Sequence, residues 1–184
     1  MKKESNALYI LRLTVTLLLI CAAVALALAG VNAITKDRIA AIQVEKTQKA
    51  IAEVLKDGET ATAVFWSEGT QGVISAYENE NGYAVEVVSP GFNGDITMMV
   101  GVSHDGKVLG ISIISHAETA GLGAVAAENT SKGQAFRDSF IGLFGSVSTN
   151  KDGGQADTIT GATITSRAIC DGVNMALDFV ANRG

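Results

Sequence analysis

Hydrophobic positions change their spacing along the chain, and each change marks a new element. From Leu13 to Val31, nineteen residues carry no charge and are dominated by Leu, Ala, Val and Ile. At about 1.5 Å of rise per residue such a helix spans roughly the hydrocarbon core of a bilayer. Residues 13–31 are therefore expected to cross a membrane as a helix, with the lipid bilayer as their first partner. Lys2, Lys3 and Arg12 precede this run. The positive-inside tendency puts residues 1–12 in the cytoplasm and the rest of the chain on the far side, with Lys36 and Arg38 pulling the other way. Ala27-Leu28-Ala29 has the small-residue pattern of a signal-peptide cleavage site, but the apolar run exceeds the usual length of such a core, and an uncut anchor is expected. A lipoprotein site at Cys21 fails because bulky Ile20 stands where a small residue is needed.

Residues 32–80 form a stalk and connection. Ile39, Ile42, Ala50, Ile51, Val54 and Leu55 recur at helical spacing among Lys, Glu and Gln, and Asp57-Gly58 ends the pattern. Val64–Gln71 has no clear type. Tyr83–Val88, Ile96–Val102 and Val108–Ile114 are short β-branched or aromatic runs separated by Pro90-Gly91, Asn93-Gly94 and Asp105-Gly106. They predict an antiparallel sheet of at least three strands. His104 falls in the hairpin turn and is expected to be solvated. Phe136, Phe140 and Phe144, four residues apart, read as a core stripe rather than a cofactor box. Gly145–Gly154 is a polar loop. Ile169, Val173, Ala176, Leu177 and Val180 mark one face of a C-terminal helix over Ser166–Val180. The fold class is α+β: a membrane helix, a stalk helix, and an antiparallel sheet with packing helices.

Composition narrows the chemistry. The formal net charge is −5, and Lys and Arg are not clustered in the C-terminal part, so nucleic acid is not an expected partner. Cys21 and Cys170 are too far apart in kind, one in the apolar run and one on the C-terminal helix, to suggest a disulfide. His104 and His116 are the only histidines, and no Cys or His spacing suits a metal.

The chemically informative stretch is Asp157-Thr158-Ile159-Thr160-Gly161-Ala162-Thr163, followed by Ile164-Thr165-Ser166-Arg167. An acidic residue, three hydroxyls and two minimal side chains stand ahead of a helix, so the backbone can approach a bulky group closely and helix N–H groups can face an anion. The plain alternative is a Thr-rich turn with Thr165 or Ser166 capping the helix. Upstream, His116-Ala117-Glu118-Thr119-Ala120-Gly121-Leu122-Gly123 offers hydrogen-bonding groups at Glu118 and Thr119, an apolar surface at Leu122, and close approach at Gly121 and Gly123. His116 is expected to be satisfied by local hydrogen bonds.

These two blocks resemble the D-x-x-(S/T)-G-A-T and H-x-E-T-P-G-L-G motifs of the FMN-binding domain family. The likeness runs from about Asn81 to the C-terminus, with Ala120 standing where the family usually has Pro. The resemblance implies an FMN-binding domain over residues 81–184, with FMN joined through its phosphate to the oxygen of Thr163. Thr160, Gly161, Ala162, Asp157, His116, Glu118, Thr119, Gly121, Leu122 and Gly123 are then the remaining cofactor-binding residues, and no residue is a catalyst in its own right. It implies as partners a separate flavin transferase that takes FMN from FAD, and the other membrane and iron–sulfur subunits of an ion-translocating electron-transport complex. Alternatives are the C-type subunit of a sodium-pumping NADH:quinone reductase, a regulatory membrane protein with the same flavin domain, and an anchored structural domain without redox chemistry.

Overall fold

The computed structural model describes residues 6–65 and 71–183. Lys2 and Lys3, invoked for sidedness, and residues 66–70 of the undecided stretch lie outside the described residues. The chain divides into two units, one ending at Val44 and one running from Glu45 to the C-terminus.

The expected membrane and stalk helices are one element, α1 (Asn6–Val54). No Pro lies between the two patterns to end the first. Among the described residues of the first unit the large apolar side chains are exposed: Leu17 is 64% and Leu26 74% exposed. A helix apolar on every side is stable where lipid replaces water, which accords with membrane anchoring. Thr14 Oγ1 donates to Ile10 O at 3.0 Å and Thr16 Oγ1 to Arg12 O at 2.8 Å, so hydroxyls within the apolar run are satisfied by the helix itself.

The second unit is built on a five-stranded antiparallel meander in chain order: β1 (Thr62–Ala63), β2 (Val73–Asn79), β3 (Gly82–Pro90), β4 (Asp95–Val102) and β5 (Val108–Ser115). The three expected strands are present within two residues at each end. β1 and β2 escaped the sequence pattern because β1 is two residues long and β2, interrupted by a bulge between Val73 and Ser75, buries only Ala76. The turn at Asp105-Gly106 is present with Gly106 at φ +74°, and exposed His104 stacks edge-on against Tyr83. α2 (Ser131–Asp138) and α3 (Thr163–Ala181) complete the unit.

β3 and β4 are buried on both faces. One face, carrying Val85, Val87, Met98, Val100 and Val102, packs on Ile169, Val173, Ala176 and Leu177 of α3. The other, carrying Ala84 and Met99 and continued by Ile114 of β5, packs on Ala50, Ile51 and Val54 of α1 and on Leu55 just past its end. Phe136 and Phe140 join the core with ring centroids 5.3 Å apart. Phe144 does not: it is 70% exposed, because α2 ends at Asp138 and Gly142 at φ +82° turns the chain, so the four-residue spacing no longer maps onto one helix face. Both cysteines are free, and burial, with the nearby Asp171 charge, pushes the Cys170 thiol up to about 12.

Small residues set how closely α1 approaches the sheet. Ala84, Gly101 and Gly110 lie side by side across three strands. A Cβ on Gly101 would lie 2.4 Å from Val54 O and 2.9 Å from Val54 Cβ. Backbone on one side and a β-branched side chain on the other leave no room to yield, so Gly101→Ala is expected to destabilise the chain by about 1–3 kcal/mol. Lys132→Ala, at an exposed position, is expected to stay within about 0.5 kcal/mol of the parent. Urea-unfolding midpoints of the detergent-solubilised chain, followed by circular dichroism, compare the two.

Candidate functional site

The Asp157–Thr163 stretch folds as a turn that runs directly into α3. Ala162 N–H donates to Ile159 O at 3.0 Å, and Gly161 takes φ +82° at the third position of that turn, where a positive φ calls for glycine. A Cβ at Gly161 would also come within 3.0 Å of Leu122 Cδ2. The helix begins at Thr163 rather than at Ser166. Neither Thr165 nor Ser166 caps it: both are buried inside its first turns, and Ala162 occupies the cap position with no side-chain bond. Ser166 Oγ accepts from Ile159 N–H and donates to Ala162 O, both at 3.0 Å, and so holds the turn against the helix. The first intrahelical bond runs from Ser166 N–H to Ala162 O, leaving the N–H groups of Thr163, Ile164 and Thr165 without partners inside the helix.

The three motif hydroxyls are thereby distinguished. Thr158 Oγ1 donates to Asn150 Oδ1 at 2.7 Å. Thr160 is exposed outside the helix. Thr163, half-buried at the first helical residue, accepts from Lys151 Nζ at 3.1 Å. Lys151 belongs to a 3-10 turn, Asn150–Asp152, within the polar loop Gly145–Gly154. That loop is braced from several sides. Arg167, one helical turn beyond Thr163, binds Asp152 through both carboxylate oxygens at 2.9 and 2.6 Å. With the Thr149 hydroxyl, the Arg167 guanidinium holds the Asp152 carboxyl down at about 2. Asn174 of α3 clamps the backbone of Val147 through both its N–H and its C=O. Asp157 accepts a long bond, 3.3 Å, from Asn150 Nδ2.

The upstream block is brought against the same turn by one side chain. Glu118 is buried, with Oε1 accepting from Phe92 N–H at 2.8 Å and Asn93 N–H at 3.1 Å, and Oε2 accepting from Thr165 Oγ1. Gly91 and Gly123 make space for it, since a Cβ at either would lie 2.5 Å from a Glu118 oxygen. The closeness that Gly123 permits is therefore used by Glu118 and Thr165. Burial alone would raise the Glu118 carboxyl, but the bonds from Thr165, Asn93 and Phe92 outweigh it and hold it below the usual range. His116 Nδ1 accepts from Glu118 N–H at 3.2 Å, a local bond of the kind expected. Thr119 Oγ1 accepts from Asn93 Nδ2 at 3.0 Å. Gly121 at φ +74° and Leu122, 43% exposed, form the outer rim.

Beside the motif, Gly121, Val125, Lys132, Ala135, Phe136 and residues 157–160 line a cavity of about 250 Å³. Of the residues picked from sequence, Thr163, Gly161, Ala162, Leu122 and Glu118 meet around the start of α3, whereas Thr160, Asp157 and Gly121 line this neighbouring cavity. Sequence reasoning missed Gly91, Phe92, Asn93 and Lys151. Gly91 and Asn93 stood within recognised turn signals, but nothing in the sequence tied Lys151 to a hydroxyl twelve residues away.

The FMN-binding domain profile matches residues 91–178. The match opens on Gly91, the glycine that receives Glu118. Over nearly its whole length the chain is similar to the G subunit of the ion-translocating oxidoreductase complex of Methanosarcina acetivorans, with 32% identity across 96% of this chain and 97% of that protein. It is also similar to the G subunit of the proton-translocating ferredoxin:NAD(+) oxidoreductase complex of Clostridium ljungdahlii, with 31% identity across 98% and 96% of the two chains. The G subunit of the Na(+)-translocating ferredoxin:NAD(+) oxidoreductase complex of Acetobacterium woodii is 30% identical across 94% and 92%.

Glu118 makes a test of the brace. Glu118→Ala leaves two backbone N–H groups and the Thr165 hydroxyl without their acceptor, and a loss of about 2–4 kcal/mol in unfolding free energy is expected at pH 7. Because the folded carboxyl is depressed below its unfolded value of about 4.3, its contribution is present above that pH and fades as pH falls through the folded value. The difference between parent and Glu118→Ala should accordingly narrow as pH falls below about 4.3, as read from urea midpoints at each pH.

Proposed function

The chain belongs to the FMN-binding domain family, as a relative of the G subunits of ion-translocating oxidoreductase complexes, and from that premise we propose that it is a membrane-anchored electron carrier with FMN esterified to Thr163. In this role it relays electrons within a Rnf-type ferredoxin:NAD oxidoreductase coupled to transport of Na+ or H+. The observation that carries the reading is the position of the Thr163 hydroxyl. It is half-buried at the first residue of a nineteen-residue helix, next to backbone N–H groups without helical partners and 3.1 Å from an ammonium. An anion is favoured there by the helix dipole and by hydrogen bonding alike.

The residues present fit a phosphate-linked flavin. Gly161 and Ala162 keep the approach to Thr163 free of bulk, and the unmatched N–H groups of α3 suit phosphate oxygens. Leu122, Phe92 and Ile164 present exposed apolar side chains close by. Thr160, Asp157 and Gly121 line a cavity whose side chains and backbone would offer donors and acceptors to polar groups of a bound flavin nucleotide. Glu118, Thr119 and Gly123 serve this site indirectly, by locking the loop that carries Leu122 to the strand turn and to α3, and His116 fixes the backbone of Glu118. FMN, when bound, supplies reversible electron transfer, and the protein's part is to hold and orient it. A separate flavin transferase attaches it, and other membrane and iron–sulfur subunits of the complex deliver and receive the electrons. Relatives named for protons and for sodium are almost equally similar, at 31% and 30% identity, so similarity in this chain does not track the coupled ion.

Thr163→Val keeps the volume and removes the oxygen. Co-produced with its transferase, this variant is expected to fold but to lose the fluorescent band that survives denaturing electrophoresis, while Thr160→Val retains it. Covalent flavin on Thr163→Val would overturn the attachment.

Sidedness follows from Lys2, Lys3 and Arg12 ahead of the apolar run. The flavin domain is expected on the extracytoplasmic side, so a reporter active only in the cytoplasm should be silent when fused after Gly184. Activity from that fusion would reverse the topology.

A further inference from the structure

We propose that Lys151 is a positioning residue for the modification of Thr163: its ammonium holds the threonine oxygen for attack and afterwards neutralises the phosphate joined to it. The inference rests on the proposed attachment of FMN at Thr163.

Lys151 Nζ donates to Thr163 Oγ1 at 3.1 Å. An ammonium has three donors and no acceptor, so it occupies one lone pair of the hydroxyl and leaves the hydroxyl proton and the second lone pair facing away. A protonated lysine in this orientation is not the base. It lowers the energy of negative charge developing on Oγ1, as preorganised donors do in phosphoryl transfer. In the step itself, Thr163 Oγ1 attacks the flavin-side phosphorus of FAD. The Oγ1–P bond forms as the bond between that phosphorus and the bridging oxygen breaks, AMP departs with the electron pair, and the hydroxyl proton passes to a base of the transferase. The product leaves one negative charge on the new diester, within reach of Lys151 and the α3 N–H groups.

The placement of Lys151 is built rather than incidental. Its neighbour Asp152 is tied to Arg167 through both oxygens and receives the Thr149 hydroxyl. The carboxylate nearest in sequence to Lys151 is thus spent on another cation. Asn150, on the other side, holds Thr158 and Asp157 of the motif. Both flanks of Lys151 are thereby fastened, one to α3 and one to the motif turn.

The test measures the initial rate of flavin attachment to the full-length, detergent-solubilised chain supplied with purified transferase, FAD and Mg2+, read by intact mass. Loss of one charge-assisted hydrogen bond predicts that Lys151→Met is slowed roughly ten- to a hundredfold, and that Lys151→Arg recovers most of the parent rate. Circular dichroism and urea midpoints matching the parent would place the defect in the transfer step. The phosphorus NMR resonance of the slowly loaded Lys151→Met protein should also be displaced from that of the parent, a readout that loop support alone does not move. An unchanged rate and resonance in Lys151→Met overturns the proposal, as does an equal defect in Lys151→Arg and Lys151→Met in folded protein. A parent chain that never gains the mass of FMN would instead overturn the attachment at Thr163, a separate outcome.

Discussion

The carboxylate of Glu118 is the constraint on which the site depends. Its two oxygens take donors from separate parts of the chain: the backbone of the turn between β3 and β4, and a hydroxyl in the first turn of α3. A neutral side chain of the same shape could not satisfy three donors at once, and a buried carboxylate without them would be driven to protonate. Gly91 and Gly123 belong to the same constraint, because they are the places where a Cβ would displace the carboxylate. At Glu118 and Gly123 the upstream motif keeps three segments distant in sequence in register.

A second layer of the site is electrostatic. The polar loop ahead of the motif delivers an ammonium to Thr163 while its own carboxylate is bound to Arg167 of α3. The helix start contributes N–H groups, and the turn contributes no side chain large enough to obstruct them. Positive potential is thus concentrated at one hydroxyl in a chain whose overall charge is −5. Local arrangement, not net charge, decides what such a site attracts.

Much of the architecture was legible because it rests on periodicity. The apolar run, the three longest strands and the C-terminal helix each repeat a spacing long enough to recognise. β2 was not legible, since it alternates weakly and buries a single alanine. Phe144 misled because a four-residue spacing implies one helix face only if the helix continues, and Gly142 ends that possibility. At the site, Thr163 and its turn could be read from residue types, because small side chains and hydroxyls ahead of a helix imply their own geometry. The partners of Glu118 could not, because which donors meet a carboxylate is settled by tertiary closure. Lys151 was hidden for the same reason.

Thr163 stands at the rim of a rigid helix, half-buried, with its hydroxyl at the surface rather than at the bottom of a closed pocket. Under the proposed esterification, that placement changes what the surrounding surface must achieve. A tethered ring meets its seat as an intramolecular event, at an effective concentration in the millimolar range for a short flexible link. Exposed apolar side chains such as Leu122, Phe92 and Ile164 would then need only shallow contacts to seat the ring, since the tether replaces recruitment from solution. Such contacts are also weak enough to release it. A carrier built this way can present one ring to a donor and then to an acceptor by exchanging shallow contacts, and it gives up tight binding without risking loss of the cofactor.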